Sequence, residues 1–65
     1  MDEAKVRAII HDINNSLTTV LGSAELISTE TPQESQTRRD AQEIATAARE
    51  AREMIRALRR ELGLP

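Results

Sequence analysis

VRAIIHDINNSLTTVLGSAELI, residues 6–27, is the stretch of sequence that decides the fold. Its apolar side chains recur at alternating steps of four and three residues, the heptad spacing of a helix that packs lengthwise against another helix. The members of this first seam are Val6, Ile10, Ile13, Leu17, Val20, Ala24 and Ile27. The pattern predicts one long amphipathic helix.

The second half of the chain has the same spacing and predicts a second helix. Its seam consists of Thr37, Ala41, Ile44, Ala48, Ala51, Ile55, Leu58 and Leu62. Further apolar residues widen both stripes beyond a coiled-coil line, which suits contact with more than one neighbouring helix. These flanking residues are Ile9, Leu21, Leu26, Met54 and Ala57.

Between the seams, residues 28–35 (STETPQES) lack apolar periodicity, and Pro32 disfavours helical geometry at Thr31. Either Thr31 or Ser35 can cap the second helix. We predict helix one at about 2–29, a turn at about 30–34 and helix two at about 35–62, in a single domain spanning residues 1–65. The expected fold is all-α, an antiparallel two-helix hairpin that homodimerises into a four-helix bundle.

Composition removes several classes of function. The 65 residues include no cysteine, which excludes disulfides, thiolate zinc sites and thiol catalysis. Phe, Tyr and Trp are absent and the formal charge is −2, so nucleic acid and anionic membranes are not expected partners. No apolar run approaches the roughly 20 residues of a membrane span. We predict a cytoplasmic chain without direct membrane contact.

The only histidine has polar neighbours on an outward helical face. His11 shares this face with Asn15 and Thr18, while Asp12 points to the flank of the seam. The run HDINNS at residues 11–16 is locally costly, because Asp, Asn and Ser prefer caps and turns to helix interiors. Residues that neither propensity nor packing favours are typical of functional sites.

The chemistry open to this set is narrow. One imidazole and one carboxylate are too few for a metal site, and adjacent helical residues do not face one another as a nucleophile and its base must. What remains is His11 as the nucleophile itself, attacking phosphorus. Asp12 is placed to bind the second ring N–H and support the cation that forms.

The stretch from His11 to Ile27 resembles the H-box in the dimerisation and histidine-phosphotransfer domain of two-component sensor histidine kinases. Residues 39–58 resemble the weaker helix-two pattern of that family. The resemblance implies that His11 accepts the phosphoryl group, Asp12 acts as general base, and Asn15 positions water when a response regulator is dephosphorylated. Ser16 stands where the family often has a helix-bending proline.

The resemblance also implies a docking surface for a response regulator receiver domain below the histidine. Its members would be Asn15, Thr18, Thr19, Gly22, Ser23, Thr46 and Arg49; the alternative is a solvated polar face. An equally good explanation of Gly22 is that the missing side chain lets two helices approach closely inside the bundle. We expect Arg7 to pair with Glu3 rather than with the phosphoryl group. Arg39–Glu43 and Arg49–Glu53 are expected as surface pairs.

A phosphoryl acceptor needs partners that this chain does not contain. It has no glycine-rich nucleotide loop, so ATP and its magnesium are expected on a separate catalytic domain, with a further magnesium on the receiver. No cofactor or metal is predicted in this chain, which is part of a kinase rather than an autonomous one. The alternatives are a free-standing histidine phosphotransfer protein of a phosphorelay and a purely structural dimerisation hairpin.

Overall fold

The computed structural model describes residues 2–64; the predicted domain also includes Met1 and Pro65, which lie outside the described residues. Helix α1 runs Glu3–Glu30 and helix α2 runs Gln36–Glu61. The two helices pack against each other, and no strand occurs within residues 2–64. The predicted all-α hairpin is confirmed. Each helix begins one residue later than predicted; α1 has the predicted length of 28 residues, and α2, with 26 residues, is two residues shorter than predicted.

Side-chain caps fix the beginning of each helix. Asp2 precedes α1 and its carboxylate accepts a hydrogen bond from the Ala4 amide at 2.9 Å. Of the two predicted caps for α2, Ser35 is the one used: its hydroxyl accepts from the Arg38 amide at 3.1 Å. Thr31 instead ends α1, and its hydroxyl donates to the Ile27 carbonyl at 2.8 Å.

The connecting turn is held by hydrogen bonds from both sides. The Ser35 amide donates to the Pro32 carbonyl at 3.0 Å, which closes a turn over residues 32–35. The guanidinium of Arg38 reaches back from α2 and donates to the Thr31 carbonyl at 2.7 Å. This contact ties the end of α1 to the first turn of α2.

Glycine ends α2 by reversing the chain. Gly63 has φ +69°, a left-handed conformation that other residues adopt only with strain. The Leu64 amide donates to the Arg59 carbonyl at 2.9 Å and the Gly63 amide to the Arg60 carbonyl at 3.1 Å, the two bonds of a Schellman motif. The motif turns Leu64 back toward the hairpin.

The core between the helices is small and largely made of alanine. Its most buried residues are Ile10, Leu21, Ala24, Ala41, Ala45 and Ala48. Leu21 and Ala24 of α1 contact Ala45 and Ala48 of α2, so small residues of one helix meet a larger residue of the other, as predicted. Leu21, predicted to lie beside the seam, is part of the core.

Half of the predicted seam does not face the partner helix. Six of its residues are more than 40% exposed and, together with the neighbouring Ile9, line one side of the hairpin, here called the apolar flank: Ile9, Ile13, Val20 and Ile27 of α1, Ile44 and Leu58 of α2, and Leu62 just after α2. The reason is geometric, because two helices bury only about a third of each circumference, and a stripe wider than that remains uncovered.

The opposite side of the hairpin is polar. This polar flank contains His11, Thr18, Gly22 and Glu25 of α1 with Thr46, Arg49 and Arg56 of α2. The Arg49 guanidinium crosses to the Glu25 carboxylate at 3.5 Å, joining the two helices on this side.

The predicted pairs Arg39–Glu43 and Arg49–Glu53 do not form. Arg39 instead donates to the Glu34 carbonyl, in the connecting turn, at 2.9 Å, and Arg49 pairs with Glu25 of α1. Glu53 pairs with Arg56 instead.

The hairpin is a slender rod of 46 × 16 × 15 Å. Neither of its helices contains a segment of the length and apolar character needed to cross a membrane, as far as residues 2–64 are concerned.

Candidate functional site

His11 lies in the third turn of α1 with its ring directed away from the core. Its neighbour Ile10 is only 2% exposed and packs against α2, which fixes the rotation of the helix about its axis. The next residue therefore points outward, and the His11 side chain is 70% exposed. A reacting partner as large as a protein domain can reach this imidazole.

Both neighbouring polar groups lie at the same ring nitrogen. The Asn15 side-chain nitrogen is 3.4 Å from His11 Nδ1, and an Asp12 carboxylate oxygen is 4.0 Å from the same atom. Asn15 is thus within hydrogen-bond range, whereas Asp12 is in ion-pair range without a hydrogen bond. No described residue forms a hydrogen bond with His11 Nε2, so this nitrogen faces solvent.

The two neighbours favour different forms of the imidazole. A carboxylate only accepts hydrogen bonds, so Asp12 favours a proton on Nδ1 and leaves a lone pair on Nε2. An Asn15 NH₂ turned toward the ring favours the lone pair on Nδ1. A half-turn of the Asn15 amide, which presents its oxygen instead, brings both neighbours into agreement and leaves Nε2 nucleophilic.

Below His11, two threonine hydroxyls are engaged by their own helix. Thr18 donates to the Asn14 carbonyl at 2.9 Å and Thr19 donates to the Asn15 carbonyl at 3.2 Å. A threonine that bonds back in this way presents its methyl group and its remaining lone pairs to solvent. The surface beneath the histidine is therefore less polar than its sequence indicates.

Gly22 leaves open space on the same face. A Cβ atom built on this glycine meets no other atom within 4 Å. Gly22 therefore makes no close contact with α2 of its own hairpin, and a close helix contact inside the dimeric bundle stays a prediction. A gap in the side-chain surface remains, three turns from His11.

The predicted docking residues divide into separate groups. Thr46 and Arg49 line a groove between the helices with Glu25, Ser28 and Thr29, rather than with Thr18 and Thr19. At 1.5 Å per residue, Glu25 lies about 21 Å along α1 from His11. Ser23 lies about 120° around the helix from His11, at 100° per residue, and thus outside the polar flank.

Two further residues adjoin His11 that sequence analysis missed. Arg59 and Leu64, from the far end of the chain, line one shallow depression with Arg7, His11 and Asp12. The predicted pair of Arg7 with Glu3 is confirmed, at 2.9 Å. The antiparallel register and the glycine at 63 were the available signals, because a Schellman motif directs the residue after glycine back onto its neighbours.

The chemistry open to this arrangement is that of a single exposed nucleophile. Among residues 2–64, no three His, Cys, Asp or Glu side chains come together in a group that could hold a metal ion. His11, with polar side chains at one ring nitrogen and solvent at the other, is suited to take a group from an external donor.

Comparison with known proteins agrees with this geometry. The family described as the His Kinase A (phospho-acceptor) domain matches residues 5–61, which includes almost all of both helices. No curated protein and no solved structure matches the chain significantly.

Proposed function

Because the chain belongs to the His Kinase A (phospho-acceptor) domain family, we propose that His11 is the residue on which it carries a phosphoryl group. The family has a phospho-acceptor and dimerisation role in histidine kinases. His11 is the only histidine of the chain. The observation that carries the proposal is the geometry of its ring, which is 70% exposed with both polar contacts at Nδ1 and none at Nε2 within residues 2–64.

In the proposed reaction, the Nε2 lone pair forms a bond to phosphorus while the bond from phosphorus to the donor oxygen breaks. The Nδ1 proton stays within reach of the Asp12 carboxylate, which stabilises the positive ring formed during attack. ATP and its magnesium, held by a separate catalytic domain, supply the phosphoryl group. This chain exposes the nucleophile and selects its tautomer.

We propose a second role for Asn15 in returning a receiver domain to its unphosphorylated state. Its amide lies one turn from His11 on the same face, and its contact with Nδ1 keeps it at the site. An amide both donates and accepts, so it can orient a water molecule toward an acyl phosphate brought by the receiver. Removing it should slow receiver dephosphorylation more than it slows His11 phosphorylation.

The proposed receiver surface is the polar flank below His11. Thr18, Thr19 and the gap at Gly22 form its upper part, and the groove beside Thr46 and Arg49 forms its lower part. From His11 to Glu25 this surface spans about 21 Å of helix, a length that a receiver domain can cover. Ser23 is not included, because it faces another direction.

Dimerisation is the proposed role of the apolar flank. All seven large apolar side chains of this flank are more than 40% exposed. Two copies joined by this flank form a four-helix bundle and bury the stripes of both helices at once. The polar flanks then lie on opposite outer sides, each with its own His11.

Phosphotransfer is tested by incubating the full chain with a histidine kinase catalytic domain and labelled ATP, or with a phosphorylated receiver. We expect a label that acid removes and base does not, as phosphohistidine requires. His11→Gln should abolish the label, whereas Glu30→Gln, on an exposed position of the same helix, should retain it. A label that persists in His11→Gln contradicts the proposal, and so does an unlabelled wild-type chain.

A further inference from the structure

Arg59 stands out among the basic residues because it is half-buried and unpaired beside His11. The Arg59 Nε atom is buried and has no hydrogen-bond partner among residues 2–64. The residue lines the depression that contains His11 and Asp12. A buried donor without an acceptor is unfavourable, and in native proteins it needs an explanation such as a catalytic role or a bound ion.

Arg7 and the arginines of the polar flank already have partners. Arg7, on the other side of the same depression, is engaged by Glu3 at 2.9 Å, and Arg49 is engaged by Glu25 at 3.5 Å. Arg38 has a similarly buried Nε, but its terminal nitrogen donates to the Thr31 carbonyl. Arg59 forms no ion pair with any residue from 2 to 64, so its charge is available to a ligand.

The backbone holds Arg59 in place for such a ligand. Its carbonyl accepts a hydrogen bond from the Leu64 amide of the Schellman motif at 2.9 Å, and its side chain is half-buried. A side chain already restricted by packing loses less entropy when it binds. Leu64 lies beside it and provides the apolar edge of the depression.

We propose that Arg59 binds the phosphoryl group transferred to His11, and so acts as a catalytic residue contributed by the end of α2. The proposal rests on the proposed function of His11. A phosphoryl group has three acceptor oxygens and close to two negative charges, and the planar guanidinium matches its oxygens with paired donors. Asp12 repels this group, and Arg59 offsets that repulsion on the other side of the ring.

The step can be examined without any partner protein, using phosphoramidate as a small donor. The Nε2–phosphorus bond forms as the nitrogen–phosphorus bond of the donor breaks. The imidazole proton leaves with the released ammonia as ammonium, so one neutral ring and one donor anion give phosphohistidine and ammonium. Arg59 stabilises the phosphoryl oxygens while both nitrogens are partly bonded.

The experiment measures the rate of phosphohistidine formation by ³¹P nuclear magnetic resonance in the full chain. We expect Arg59→Gln to slow it about tenfold, the effect of one hydrogen bond to a charged group. The rate of Arg59→Lys should lie between those of Arg59→Gln and the wild type, because lysine keeps the positive charge but lacks the paired donors of the guanidinium. The matched control is Arg60→Gln, at the next, exposed position, which should remain within about twofold of wild type.

The outcomes separate the two proposals. A wild-type chain that forms no phosphohistidine overturns both the role of His11 and that of Arg59. A wild-type chain that reacts, with Arg59→Gln as fast as Arg60→Gln, overturns the role of Arg59 alone. Circular dichroism checks that each variant keeps its helicity. If Arg59→Gln unfolds, Arg59→Lys replaces it in the comparison. A rate of phosphohistidine formation by Arg59→Lys equal to that of Arg60→Gln then overturns the proposal.

Discussion

The two flanks of the hairpin differ in what holds their residues in place. The apolar flank presents isoleucine, leucine and valine side chains that stay exposed to water unless a further partner packs against them. The polar flank presents His11 and its neighbours, which neither helix propensity nor packing explains. One pair of helices thus presents two different surfaces on either side of an alanine-rich core: an apolar one that suits the proposed assembly and a polar one that suits the proposed chemistry.

The largest expected effect comes from placing a charge on the apolar flank. Val20→Glu should raise the dimer dissociation constant at least about a hundredfold, because two symmetry-related carboxylates would be buried without partners. Sedimentation equilibrium at micromolar concentration measures it. Thr18→Glu, the same charge on the polar flank, is the control and should leave the dimer intact. Equal effects of the two variants would show that the flanks are not distinct.

The second largest effect is expected from a substitution in the core that separates the flanks. Ala45→Leu adds three carbons where the helices approach most closely, and overpacking of this kind costs about 1–3 kcal/mol. Thermal unfolding at a fixed protein concentration should show a lower midpoint. Ala4→Leu adds the same group at an exposed position and should change little. A midpoint for Ala45→Leu equal to wild type would mean that the helices are not in close contact there.

Gly22→Ala sharpens the comparison because it should affect stability and binding in opposite directions. The new methyl group meets nothing within 4 Å, so the helix should gain about 0.5–1 kcal/mol from its higher propensity. Receiver binding, measured by titration calorimetry, should weaken as the gap is filled. Ser23→Ala, outside the polar flank, should leave binding unchanged. Tighter receiver binding by Gly22→Ala would argue against the proposed surface.

The smallest expected effect concerns the ion pair that joins the helices on the polar flank. Both side chains of the Arg49–Glu25 pair are more than half exposed. Glu25→Gln should therefore change the free energy of unfolding by about 0.5 kcal/mol or less, as measured in urea. A loss above about 2 kcal/mol would mean that the polar flank contributes to folding as well as to chemistry.

Sequence alone predicted the hairpin because the apolar periodicity and the residues that end helices agreed with each other. The heptad spacing, Pro32 and Gly63 all point to two helices and one turn, and the structure places their ends within two residues of the prediction. The exposed position of His11 follows from the same periodicity, since Ile10 must face the core. The roles of Asp12 and Asn15 remain predictions, supported by their distances to Nδ1.

Other features were out of reach because they depend on angles and on contacts between distant residues. The heptad pattern could not tell which half of a wide stripe faces α2, so Leu21 was placed beside the core and Ile13 within it. The partner of Arg49 lies 24 positions away, where helical spacing offers no guidance. Arg59 lines the same depression as His11 only because the register of the two whole helices brings the end of α2 beside the beginning of α1.

The slender form of the hairpin has a consequence for hydrodynamic measurements. A rod of 46 × 16 × 15 Å experiences more friction than a sphere of equal mass, so it migrates in gel filtration as a larger protein. Side-by-side pairing thickens the rod without lengthening it and makes the particle rounder. Elution volume should therefore shift less on dimerisation than a doubled mass suggests, and light scattering separates the two forms where a calibrated column does not.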